Sequence, residues 1–260
     1  MGHIHLGTLS RSRLWRDVVL LLEDRTTVED VVSASAVAAE KSLLNASTDP
    51  VFIESVRLLL NIPLAARQDD FGDALRRLDL DVGSSPSLIE VVSAANRRLE
   101  TLARCVPGRS DFSNMSMRAL SRAISDCVGN DLPGLFGPSS ADVQHSFRKF
   151  SRDAGMSTIC RSYFGALVGS SLSYWLDRTL NNHIGEGQLF ARVADRAAFD
   201  HSMKIYVGET TRIIKEFAAG WVGKMSYRTG MIATSDARDF AHVSLKKVVD
   251  ELRSRRDQNA

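Results

Sequence analysis

The chain contains few cysteines and none of the motifs that mark the common nucleotide-dependent and hydrolase-fold enzymes. Its three cysteines, Cys105, Cys127 and Cys160, are widely separated and form no CxxC pair. A disulfide framework or a zinc knuckle needs paired cysteines, so we expect three reduced residues on helix faces. GxxxxGK[ST], GxGxxG, GxSxG and the kinase signature set are also absent, which argues against those enzyme classes.

Long apolar runs are missing as well. The longest stretch of interest, from Phe164 to Leu176, contains glycine and serine and is well short of the ~20 residues that a membrane-spanning helix needs. We therefore expect a buried core helix there and no membrane interaction. Residues 1–9 are followed by Arg11, Arg13 and Arg16 without the apolar run of a secretion signal, which predicts a cytoplasmic protein.

The overall composition is that of an ordinary globular protein. Hydrophobic residues make up 44% of the chain and charged residues 25%. The formal net charge of +2 is divided unevenly, about −3 through Cys105 and +5 after it. This mild asymmetry permits a basic contact surface on the C-terminal part without requiring nucleic acid.

What the chain has in abundance is helical periodicity. Segments with apolar residues at helical spacing, most of them opened by a Ser, Thr or Asp cap, run from about Ser10 to Arg256. They predict an all-α protein of about ten helices, preceded by a short extended arm at residues 3–7. Asp49-Pro50 opens one helix, which Pro63 should end at Asn61. A single helix is expected over residues 195–225.

Two helical bundles are one way to divide the chain. Val106-Pro107-Gly108-Arg109-Ser110 has the composition of a loop and separates a bundle at residues 1–105 from another at 110–260. One continuous domain is the alternative, because chain length alone permits both arrangements.

Arg178 and His183 are the sharpest candidates for catalysis. They lie near the end of a predicted long helix, separated by four residues. This spacing resembles the R-x4-6-H element of HEPN-type helical ribonucleases. The resemblance implies a metal-independent site formed by two facing copies of the chain, in which the histidine transfers protons and the arginine binds phosphate. The structural interpretation is that Arg178 pairs with a carboxylate and His183 ends the helix.

Two further surfaces could contact partners. Gly165 to Ser171 form a small-residue face that favours close helix packing, and Tyr174 and Trp175 just beyond it could anchor another protein. Arg148, Lys149 and Arg152 share roughly one helix face and could touch phosphates, although nearby acidic residues favour an ordinary solvated surface.

No metal or cofactor site is predicted. His3 and His5 have the HxH spacing that resembles the opening strand of metal-dependent hydrolase barrels. Such barrels need many further strands and acidic ligands, and the chain offers neither in recognisable form.

These observations predict a non-catalytic helical subunit of a bacterial-type cytoplasmic complex, with another protein subunit of unknown identity as its partner. The first alternative is a HEPN-like ribonuclease of a toxin or defence system, acting as a homodimer through Arg178 and His183. The second alternative is a module that binds RNA or DNA through Arg148, Lys149 and Arg152.

Overall fold

Eleven α-helices and no β-strand occur in the described part of the chain, which comprises residues 13–23, 27–106, 110–133, 137–180 and 193–259 of a computed structural model. This confirms the prediction of an all-α protein. The extended arm with His3 and His5 lies outside the described residues. The helices are α1 (Arg13–Glu23), α2 (Val28–Ala46), α3 (Pro50–Ala65), α4 (Phe71–Arg76), α5 (Leu88–Cys105), α6 (Asp111–Gly129), α7 (Ser140–Phe150), α8 (Asp153–Leu180), α9 (Val193–Thr210), α10 (Arg212–Thr229) and α11 (Thr234–Asn259).

Side-chain caps explain where several helices begin. Asp49 Oδ1 accepts hydrogen bonds from the backbone N–H groups of Val51 at 2.8 Å and Phe52 at 3.0 Å, as the Asp49-Pro50 pair predicts. Asp49 Oδ2 accepts from the hydroxyls of Ser110 at 2.6 Å and Ser113 at 2.7 Å. Because Ser110 caps α6, this one carboxylate joins the N-termini of α3 and α6.

Helix α3 lies at the centre of the fold. Of its 16 residues, 14 are buried, and it packs against α4, α5, α6, α7, α8 and α11. The prediction that Pro63 ends this helix at Asn61 is wrong, because α3 continues through Pro63 to Ala65. Pro63 lies in the last turn, where its missing N–H removes one intrahelical bond, and burial on all sides holds the turn in place.

The helix predicted over residues 195–225 is divided at Thr211 into α9 and α10. Thr210 and Thr211 are buried, and their hydroxyls donate to the carbonyls of Val207 and Gly208, each at 2.9 Å. These bonds compete with the regular backbone ladder. The break allows α9 and α10 to pack separately against α8.

Aromatic side chains from four helices meet in the core. Phe52 of α3 lies edge-on to Phe112 of α6, with ring centroids 5.2 Å apart, and to Phe164 of α8 at 6.4 Å. Phe164 in turn lies 6.2 Å from Phe240 of α11. Such edge-to-face pairs stabilise the core beyond the contribution of apolar burial alone. The core thus joins helices from both sides of residues 106–110, and the division into two bundles stays a prediction.

A buried amide fixes the connection between α10 and α11. The Asn61 side chain donates from Nδ2 to the Ile232 carbonyl at 2.9 Å and accepts from the Ile232 N–H at 2.8 Å. Asn61 is 1% exposed, so water cannot replace these bonds. The loop before α11 is therefore held on α3.

Within the described residues, no helix is long and apolar enough to cross a bilayer.

Ser244 on α11 offers a test of polar burial in this core. Its side chain is 0% exposed, and its hydroxyl has no hydrogen-bond partner among the described residues. Ser244→Ala removes this unsatisfied group and favours the helix, so we expect the free energy of unfolding to rise by about 1 kcal/mol. Urea denaturation followed by circular dichroism measures the change.

The matched control for this substitution is Ser55→Ala. Ser55 is equally buried, but its hydroxyl donates to the Phe52 carbonyl at 2.9 Å and shares a hydrogen bond with the Tyr163 hydroxyl. Its removal should lower the free energy of unfolding by about 1–2 kcal/mol. Equal destabilisation by both substitutions would contradict the assignment of Ser244 as unsatisfied.

Candidate functional site: a groove along α8

A groove of about 700 Å³ runs between α6, α8 and α9. Its floor is formed by small residues of α8 at helical spacing, and we refer to this feature as the α8 groove. Because glycine, alanine and serine project so little, the surface of α8 stays open to an incoming molecule. The floor residues are Ser162, Gly165, Ala166, Gly169, Ser170 and Ser173.

The same small residues bring α9 close to α8 along one side of the groove. A Cβ atom on Gly165 would lie 3.4 Å from Thr211 Oγ1, and one on Gly169 would lie 3.9 Å from Val207 Cγ1. Part of the face therefore packs internally, as its composition predicts. Ser170, by contrast, is exposed on the open side.

The rim of the α8 groove carries an excess of positive charge. Its lining includes the cationic residues Arg118, Arg122, Arg161 and Lys204 and the carboxylates Asp126 and Asp177. Arg122 forms an ion pair with Asp126 at 3.3 Å, and Arg161 donates to the Gly208 carbonyl at 2.8 Å. Asp177 forms an ion pair with Arg196, a residue that does not line the groove.

Three of the four rim cations form no ion pair with a residue that the structure describes. Arg118 and Lys204 are exposed, and neither forms an ion pair with any residue that the structure describes. Together with Arg161, whose guanidinium donates to a carbonyl rather than to a carboxylate, they make the rim attractive to a negatively charged molecule.

Similarity to known proteins does not identify the groove. The chain matches no protein-family model, no curated protein and no solved structure. What the groove binds is therefore inferred from its own volume, lining and charge.

The cysteine in the α8 groove does not provide an activated nucleophile. Burial raises the pKa of the Cys127 thiol, the hydrogen bond with Ser162 lowers it by less, and the charge of Asp126 raises it further. Cys127 is consequently a neutral thiol at physiological pH, and the thiolate is the reactive form. Burial likewise raises the pKa of Cys160.

The proposed aromatic anchor is described only in part. Tyr174 lines the α8 groove, is half-buried, and donates a hydrogen bond from its hydroxyl to Asp111 Oδ2 of α6. The structure therefore places Tyr174 between α8 and α6 rather than fully in solvent. The side chain of Trp175 lies outside the described part of the structure.

The predicted catalytic pair is not brought together by any described contact. Arg178 belongs to α8, but its side chain is outside the described part, and the whole of His183 lies outside the described residues. The ribonuclease interpretation stays a prediction.

The three predicted phosphate-binding residues lie at the junction of α7 and α8, and two of them make intramolecular contacts. Arg148 Nε donates to the Ala66 carbonyl at the end of α3 at 2.8 Å. Lys149 pairs with Asp131 at 3.0 Å. Burial raises the pKa of Asp131, but the hydrogen bonds from Lys149 and Ser146 and the charges of Lys149 and His145 together hold it below its ordinary value. Arg152 is exposed.

A second groove, of about 550 Å³, lies between α5 and α6. Its lining is polar and includes Asn96, whose side-chain oxygen accepts a hydrogen bond from the Ser121 hydroxyl at 3.0 Å. Arg118 and Arg122 line both grooves, so they form a basic ridge along α6.

No group of three or more metal-ligating side chains occurs among the described residues.

Sequence reasoning found only part of the α8 groove. It singled out the small residues and Tyr174 because they lie on one helix, where periodicity shows which residues share a face. It missed Arg118, Arg161 and Lys204, which come from three different helices. The spacing of Arg118, Arg122 and Asp126 at i, i+4 and i+8 is the one signal that could have marked the α6 side.

Proposed function

We propose that this protein is a non-catalytic helical subunit of a cytoplasmic multiprotein complex and that the α8 groove receives its partner. The observation that carries the proposal is the open, small-residue floor of a 700 Å³ groove on a helix that is otherwise part of the core. Such a floor lets a partner backbone approach α8 closely, and the surrounding cationic residues and Tyr174 supply the polar rim and aromatic contact that interfaces use.

The burial of the opposite side of α8 supports this role. Met156, Phe164 and Leu172 on the opposite side of α8 are fully buried against neighbouring helices. The groove is therefore held open by the core, and a partner need not reorganise it on binding.

The test is to fill the groove without disturbing the core. Ser170 is exposed on the floor, so Ser170→Trp places an indole in the space that a partner would occupy. We expect a partner identified by mass spectrometry in an affinity capture from source cells to be reduced about tenfold or more with this variant.

The matched control is Ser254→Trp, which adds the same indole to an exposed serine on α11, outside the groove. It should retain the partner, and both variants should melt within a few degrees of the wild type. Equal capture by the two variants would contradict the assignment of the groove. Light scattering on the same proteins shows whether the partner is a second copy of this chain.

A further inference from the structure

We infer that the occupant of the α8 groove is an acidic α-helix. This inference rests on the proposed function and adds the chemistry of the partner. The length of the groove and the distribution of charge around its rim support it.

The length of the groove suits a helix that lies along α8. The small-residue floor runs from Ser162 to Ser173 along α8, which at 1.5 Å per residue is about 16 Å, or three turns, and the lining as a whole extends along α8 from Thr158 to Asp177. A partner helix of three turns or more can therefore lie along the floor within the length of the groove.

The floor determines how closely such a helix can approach. Helices pack with their axes 8–10 Å apart, and the shortest separations need small side chains at the contact. Ala166 and Ser170 supply these beside Gly165 and Gly169, which already lie against Thr211 and Val207. A partner helix with its own small or medium apolar residues along one stripe fits this surface.

The rim determines the charge of the occupant. Arg118 on α6 and Lys204 on α9 lie on opposite walls of the groove, and neither is paired with a described residue. Arg161 adds a third cation, whereas the carboxylates Asp126 and Asp177 are already paired with arginines. A helix with glutamate or aspartate on both flanks would place opposite charges against both walls, and a basic helix would be repelled.

The experiment selects helices from a displayed library on the purified full-length protein. The library encodes amphipathic helices of about 18 residues with a fixed alanine and leucine stripe, and its flanking positions are randomised among Glu, Gln and Lys. We expect enrichment of Glu over Lys by about tenfold or more at flanking positions, weaker binding as salt rises, and loss of binding to Ser170→Trp.

Charge reversal at the rim is the decisive comparison. On the double variant Arg118→Glu, Lys204→Glu, the same library should enrich Lys instead of Glu. The control double variant Arg152→Glu, Lys246→Glu makes the same change in net charge at exposed positions outside the groove and should still enrich Glu.

Three results of the selection would contradict an acidic helix as the occupant of the α8 groove. Enrichment without a charge preference, an unchanged preference on the rim variant, or no enrichment at all would overturn the acidic helix. A partner lost from Ser170→Trp in cells but no acidic enrichment would retain the groove as an interface for a different occupant. Equal capture by Ser170→Trp and Ser254→Trp would instead remove the proposed function itself.

Discussion

Gly155→Ala is expected to lower the free energy of unfolding by about 3 kcal/mol, because the added methyl group would strike backbone rather than a movable side chain. A Cβ atom on Gly155 would lie 2.6 Å from the Cα atom of Phe150 and still closer to the Lys149 carbonyl oxygen. Neither atom can rotate away. The steric clash can be relieved only if the last turn of α7 moves away from the first turn of α8.

The corner between these two helices has little freedom to make that movement. Only Ser151 and Arg152 connect α7 to α8, and Ser151 is 2% exposed. Arg67 donates from its guanidinium to the Ser151 hydroxyl at 2.9 Å and to the Ser151 carbonyl. A shift of the corner would break these bonds as well as compress the core.

Urea denaturation followed by circular dichroism measures the loss, and thermal melting should show a fall of roughly 6–12 °C. The control is Gly220→Ala, in the interior of α10, where an added Cβ has no neighbour within 4 Å. That substitution should stabilise the protein by about 0.5–1 kcal/mol through helix propensity. Unchanged stability in Gly155→Ala would show that the corner can open without cost.

Glu54→Gln is expected to lower the free energy of unfolding by about 2–4 kcal/mol at about pH 7 and by much less at about pH 3. Glu54 is 6% exposed. It accepts hydrogen bonds from Arg57 at 2.7 and 2.8 Å and from Arg98 at 3.1 Å. A neutral glutamine removes the carboxylate that binds Arg57 and leaves Arg98 only its pair with Asp79 at 3.4 Å.

The pH dependence follows from the direction of the Glu54 pKa shift. Burial would raise the pKa of Glu54, but the hydrogen bonds and charges of Arg57 and Arg98 together outweigh burial and hold it below its ordinary value of 4.5. The unfolded chain therefore takes up the proton first as pH falls. The stabilisation from Glu54 is fully present above pH 4.5 and is lost as pH falls through the lower, folded-state pKa.

Unfolding curves for wild type and Glu54→Gln between about pH 7 and pH 3 should consequently converge at acid pH. Glu100→Gln is the control, because Glu100 forms an exposed pair with Arg104 at 3.8 Å and should change stability by less than about 0.5 kcal/mol. A constant difference between wild type and Glu54→Gln at every pH would contradict an ionised, arginine-bound Glu54.

The helices that could be predicted from the sequence are those whose start is encoded locally. Asp49 is the cap of α3 and Pro50 is its first residue, so the start of this helix was predicted correctly from two neighbouring residues. The end of α3 was predicted wrongly because the cost of Pro63 is local, whereas the burial that outweighs it comes from distant helices. The break at Thr211 was missed although the hydroxyl bonds that accompany it are local, because a threonine inside a helical pattern does not by itself mark a break.

The sequence by itself determined that this protein is built of helices, because cap residues and apolar periodicity act within a few positions of one another. It also determined which residues share a face of α8. Only the tertiary structure decided that Arg118, Arg161 and Lys204 surround that face and that Glu54 lies between Arg57 and Arg98. The physical reason is range: hydrogen bonds within a helix form between near neighbours, whereas a groove or an ion-pair network depends on which helices pack together.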